Sequence, residues 1–141
     1  MIAVDSSVIV AALLSWHEKH EVAARALGRA LDAEEGIVIP VHAIVESYSV
    51  LTRLPPPHRL AASDALALLR ENFQSLKLAA FSARSVWTVL GQLSAANLGG
   101  GVTYDAMILD AAVQAGATSL LTLNARDYGR LPDRLLIVVP A

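Results

Sequence analysis

Five short apolar runs, separated by stretches with helical periodicity, constrain this chain more than any other feature. The runs are Ile2 to Val4, Ile37 to Ile39, Leu76 to Phe81, Ser119 to Leu123 and Leu135 to Val139. They are near-continuous in Val, Ile, Leu and Ala. A strand with one wet face alternates, whereas an unbroken run suits a strand covered on both faces, as in a parallel sheet. Between them, Val22, Ala23, Ala26, Leu27, Ala30 and Leu31 form one helical stripe, and Ile44, Val45, Tyr48 and Leu51 a second. Ala62, Ala65, Leu66, Leu69 and Phe73 form a third, and Val86, Val89, Leu90 and Leu93 a fourth. Met107 to Ala115 is apolar almost all round, which predicts a buried helix. Pro55-Pro56-Pro57 ends the second helix, and Gly99-Gly100-Gly101 separates the fourth from the buried one. This alternation predicts a three-layer α/β/α sandwich around a mainly parallel five-stranded sheet, with residues 1–141 as a single domain.

In such a sheet ligands bind outside the carboxyl ends of the strands, and the acids of this chain fall there. Asp5 directly follows the first strand, and Asn124 and Asp127 follow the fourth. Helices antiparallel to the strands begin at the same edge, which places Glu46 in the second turn of one and Asp105 in the first turn of another. Four acids from four segments are thus expected on one rim. Singly, each has an ordinary reading: Asp5 as a helix cap before Ser6-Ser7, Asp105 as an acid answering a helix dipole, Glu46 as a solvated helix residue, Asp127 as a turn residue. Together they repel one another unless a cation neutralises them.

The chain has no Cys, which removes thiolate chemistry and sulfur-ligated zinc. Oxygen-only ligands point to a hard ion, Mg²⁺ or Mn²⁺. Asp110 lies five positions after Asp105, rotated by about 140° on a helix, and is read as a buried or partner-facing polar residue. The four His, at 17, 20, 42 and 58, show no convincing ligand spacing, and the His17/His20 pair is expected on a solvated helix face. With 11 Lys and Arg against 13 Asp and Glu, the net charge of -2 gives no overall footprint for nucleic acid, so such a function rests on local features. Hydrophobic residues make up 55% of the chain, which excludes disorder. The longest apolar stretches fall far short of the roughly 20 residues that span a bilayer. No basic signal-peptide segment stands at residues 1 to 5, and the cytoplasm is the expected location.

Several local patterns then line up in order along the chain. They are Asp5-Ser6-Ser7 after the first strand, Glu46-Ser47-Tyr48 and Thr52-Arg53-Leu54-Pro55, Tyr104-Asp105-Ala106, and Leu121-Thr122-Leu123-Asn124-Ala125-Arg126-Asp127-Tyr128. In order and spacing the chain resembles the PIN-domain ribonucleases, most closely the VapC-type toxins of toxin–antitoxin pairs. The resemblance implies a Mg²⁺-dependent endoribonuclease that forms a homodimer and is inhibited by a small VapB-type antitoxin. It carries the first three acidic positions onto Asp5, Glu46 and Asp105. At the fourth, this chain has Asn124 where many members have Asp; either Asn124 fills that place or Asp127 supplies the charge three residues later. Thr122 matches a hydroxyl beside that position.

The resemblance and the acids together suggest that Asp5 and Asp105 hold Mg²⁺, that Glu46 orients or deprotonates the attacking water, and that Asp127 assists. Arg53, seven residues after Glu46, and Arg126, beside Asn124, are candidates to grip flanking RNA phosphates. A haloacid-dehalogenase-type phosphatase requires an Asp where Ser7 stands. A response-regulator receiver requires a Lys after the fourth strand, and the Lys here are Lys19 and Lys77. The non-enzymatic alternative is a catalytically degenerate PIN domain serving as an antitoxin-binding or scaffold protein. The apolar stripes suggest a dimer, and the helices between residues 17 and 73 offer a groove for an antitoxin segment.

Overall fold

The computed structural model describes residues 1–132 and 135–141. Its elements follow the order β1 (Ile2–Val4), α1 (Ser6–Leu13), α2 (His20–Asp32), β2 (Ile37–Pro40), α3 (Val41–Arg53), α4 (Ala62–Phe73) and β3 (Lys77–Ala79). A 3-10 turn at Ala83–Ser85 then leads into α5 (Val86–Ala95), α6 (Val102–Gln114), β4 (Ser119–Leu121), α7 (Ala125–Tyr128) and β5 (Leu136–Val138). All four strand pairings are parallel, in the order β3-β2-β1-β4-β5. The chain starts in the middle strand, builds outward to β3, and crosses back to β4 on the other side of β1. This reversal makes the gap between β1 and β4 the point where an open α/β sheet presents its site.

The three inner strands are the core that the unbroken apolar runs call for. Ala3, Val4, Val38, Ile39 and Leu120 have no accessible surface. From the helices, Ala23, Ala43, Leu51, Ala65, Ile108 and Ala112 are also wholly buried. The buried helix is longer than the apolar stretch that announced it, because α6 begins at Val102 and takes in Asp105 in its first turn. Two helix ends aim the chain back to the sheet. After α6, Gly116 adopts φ +87, with Gly116 N–H bonded to Val113 C=O and Ala117 N–H to Ala112 C=O. After α5, Asn97 adopts φ 55, with Asn97 N–H bonded to Ser94 C=O and Leu98 N–H to Leu93 C=O. Both are left-handed helix stops that satisfy orphan carbonyls, and the first delivers the chain directly into β4.

Three expectations need correction. The run Leu76 to Phe81 is not a strand covered on both faces: β3 is three residues long, lies at the edge of the sheet, and leaves Lys77 and Leu78 exposed. Composition reports apolarity, but an edge position removes one neighbour. The fourth run also ends early as a strand, since Thr122 and Leu123 follow β4 rather than extend it. The helical stripes are likewise only partly covered, with Leu31, Val45, Tyr48, Leu66 and Leu90 left exposed.

Candidate active site at the carboxyl edge of the sheet

Asp5 occupies the N-cap position of α1, but its carboxylate does not cap the helix. The side chain is 1% exposed, and three hydroxyls converge on it, one from Ser7 nearby and two from more than a hundred residues away. Ser7 Oγ donates to Oδ2 at 2.7 Å, Thr122 Oγ1 donates to Oδ2 at 2.8 Å, and Tyr128 OH donates to Oδ1 at 2.9 Å. Each of the first two hydroxyls also accepts a backbone N–H from the chain leaving β4: Leu123 N–H to Ser7 and Asn124 N–H to Thr122, both at 2.9 Å. A hydroxyl has one proton to give. With the backbone filling their acceptor sides, Ser7 and Thr122 both direct that proton at Asp5, and their own 3.3 Å contact is only proximity. Charge-assisted bonds of this kind are the stronger class and fix the carboxylate's orientation. Burial, then the charge of Asp5, push the Tyr128 phenol far above its ordinary range, so it remains a donor.

Asp105 faces the same space from the first turn of α6. Burial, reinforced by the charges of Asp5, Asp127 and Glu46 in that order, raises its pKa from 3.8 to about 7. The other three predicted acids therefore lie within electrostatic reach of Asp105. Glu46 is anchored at both oxygens: Ser6 Oγ donates to Oε1, and His42 Nε2 lies 3.3 Å from Oε2 one helical turn away. The His42 ring is itself stacked on Tyr104, with centroids 5.3 Å apart and planes 3° from parallel.

A cleft of about 550 Å³ opens beside these groups, lined among others by Ser6, Ser7, His17, Lys19, Glu46 and Asn124. Asn124 is exposed, precedes α7 without capping it by its side chain, and reaches the cleft, whereas Asp127 reaches Asp105. Arg126 is exposed on α7. Arg53 is exposed in the last turn of α3, and the cleft lining on that helix stops at Val50. Asp110 is buried on the α5 side of α6, against Val89 and Leu93, away from the acid rim.

The histidines depart from their sequence reading. His20 is not merely solvated, because its Nδ1 lies 3.0 Å from Ala11 C=O. His17 sits before α2 rather than on it, accepts Lys19 N–H at Nδ1, and lines the cleft. His42 has a partner after all. Its i,i+4 spacing to Glu46 was the available signal. Ser7 and Tyr128 were visible only as parts of motifs; nothing local shows that their hydroxyls meet at Asp5.

The donors here are all oxygens, and among the described residues no Lys or Arg forms an ion pair with Asp5, Asp105 or Asp127. Uncompensated carboxylates, one with its pKa driven to about 7, fit a hard divalent cation. Among the described residues no three His, Asp or Glu form a preassembled ligand set, so the acids surround the space rather than close on a point.

A PIN-domain family model matches residues 2–133. The chain belongs to the PIN-domain family. This PIN domain is 46% identical over 126 residues to Ribonuclease VapC40 of Mycobacterium tuberculosis (strain ATCC 25618 / H37Rv), covering 89% of this chain and 88% of that relative. It is 37% identical to Ribonuclease VapC27 of the same strain, over 89% of this chain and 85% of that one. Among solved structures it is similar to M. tuberculosis VapC20, described as a sarcin-ricin loop cleaving toxin, with a TM-score of 0.73 at 15% identity over 92% and 94% of the two chains. It is also similar to DNA-bound VapBC from Salmonella typhimurium, with a TM-score of 0.72 at 17% identity over 98% and 96%. These two likenesses carry the PIN fold. PIN-domain VapC ribonucleases are generally dependent on a divalent metal.

Proposed function

We propose that this chain is the endoribonuclease toxin of a type II toxin–antitoxin pair, acting with Mg²⁺ and accepting Mn²⁺. One observation carries the reading: a buried carboxylate, Asp5, aimed by three hydroxyls into a space fronted by Asp105 and bounded by Glu46 and Asp127. Asp5 and Asp105 would hold the cation. When bound it offsets phosphate charge and lowers the pKa of water, so that a nucleophile is available at neutral pH. Glu46, fixed by Ser6 and His42, accepts a proton from the attacking water. The water oxygen bonds to phosphorus, and the opposite P–O bond of the RNA backbone breaks, its electron pair staying on the leaving ribose oxygen, which takes a proton from solvent water. Lys19, at the cleft, and Arg126 and Arg53, further out, are placed to contact flanking phosphates.

The same reading makes the chain a homodimer and the partner of a VapB-type antitoxin. An apolar groove of about 350 Å³ between α3, α4 and β3, lined by Ile44, Val45, Tyr48, Leu66 and Leu78 among others, suits the apolar face of a partner segment. Purified protein incubated with total RNA and millimolar Mg²⁺ or Mn²⁺ tests the function. Cleavage that stops with chelator and with Asp5→Asn is expected. Intact RNA under all conditions, from a protein that still binds an antitoxin, points to the degenerate scaffold instead.

A further inference from the structure

Tyr104 is 52% exposed although an aromatic ring gains by burial, and it sits immediately before Asp105 in the first turn of α6. One of its faces is taken by His42, nearly coplanar at 3° and centred 5.3 Å away. His42 is in turn held near Glu46, with Nε2 3.3 Å from Oε2. The stacked pair therefore bridges the two helix starts that carry Asp105 and Glu46, and its outer face is open to solvent beside the acids. Stacking on His42 limits the tilt of the Tyr104 ring, so this surface is a preformed plane rather than a freely rotating side chain. A flat, open aromatic face next to a phosphodiester site matches the face of a nucleobase. Base–aromatic stacking tolerates any base, because each has a π-face.

We propose that Tyr104, backed by His42, is a stacking platform for one base of the RNA next to the scissile phosphate. The inference rests on the ribonuclease reading and assigns that site a substrate-positioning residue. Tyr104 acts by fixing the position of the nucleotide, leaving the chemistry to the acids. His42 does double service, orienting the platform on one side and Glu46 on the other.

The test uses a short single-stranded RNA carrying 2-aminopurine, whose fluorescence falls when it stacks, bound to full-length protein in the cleavage-deficient Asp5→Asn background. Quenching is expected with Tyr104, retained in Tyr104→Phe, and lost in Tyr104→Leu, with affinity weakened about tenfold. In otherwise wild-type protein, Tyr104→Leu raises KM by a similar factor and leaves kcat at saturating RNA nearly unchanged. Because Tyr104 lies outside the core, an unchanged Tm confirms that the variants are folded. Quenching that persists in Tyr104→Leu overturns the platform, as does a change in oligomeric state without loss of quenching, which assigns the ring to a protein interface. If quenching follows this pattern but wild-type protein cuts no RNA, the platform stands and the ribonuclease reading falls.

Discussion

At the scale of single residues, the carboxylate of Asp5 depends on hydroxyls that do not titrate and have no chemistry of their own. Tyr128→Phe removes one donor and keeps the ring. A hydrogen bond to a charged, buried group contributes about 1.5–3 kcal/mol, so Tm should fall by several degrees and cleavage should drop more than the stability change explains. Thr122→Val keeps the shape but deletes two bonds, the donation to Asp5 and the acceptance from Asn124 N–H. Its effect on both measurements should exceed that of Tyr128→Phe, which thermal melts and initial cleavage rates check directly. Tyr128 and Thr122 also mark where sequence reasoning stops. Asp5, Glu46 and Asp105 were legible because each follows a strand or opens a helix at a known edge. The hydroxyls that orient Asp5 lie 117 and 123 positions away, and only the pairing of β1 with β4 makes them neighbours.

At the scale of elements, α7 decides how the rim is completed. The sequence suggests no more than a turn at Asp127, since a four-residue helix is too short to carry periodicity. Its turn brings Asp127 within electrostatic reach of Asp105 and leaves Asn124 at the cleft. If Asp127 is the fourth carboxylate, Asp127→Ala should lower cleavage steeply, and Asn124→Asp should leave it unchanged or tighten the response to Mg²⁺. If Asn124 positions water or substrate, Asn124→Ala is the damaging change and Asp127→Ala the mild one. Cleavage of total RNA across a Mg²⁺ series separates the two, and the charge coupling to Asp105 favours Asp127. The edge strand β3 makes a complementary point about legibility. Its composition resembled that of the central strands, and neither its length nor its exposed Leu78 was visible before the strand order was known.

At the scale of the molecule, the clustered acids link folding to pH and to cations. Asp105 titrates near 7 in the folded protein and near 3.8 when the fold is lost. Between those values the folded state keeps a proton that the unfolded chain has released. The contribution of Asp105 to stability is therefore greatest below 3.8, declines as pH rises, and levels off above about 7. Because the group is only half-buried and partly screened by solvent, the decline is on the order of 1–2 kcal/mol. In chelator, Tm should be a few degrees lower at pH 8 than at pH 5, and Asp105→Asn should flatten the slope. Millimolar Mg²⁺ or Mn²⁺ should raise Tm at pH 8 and do little at pH 5, where the proton occupies the carboxylate. A Tm that rises with pH in chelator, or an equal cation effect at both pH values, would contradict this account.

The crossover that sets β4 against β1 also has a consequence for the order in which the protein is made. Asp5 is synthesised well before two of the three groups that aim it, Thr122 and Tyr128, which follow it by 117 and 123 positions. Until then the carboxylate has only Ser7, two positions away, and no β4 beside its strand. The acid centre is therefore complete only once the chain extends through Tyr128. A nascent chain that stops short of β4, surrounded by the RNA of the ribosome, does not yet contain it.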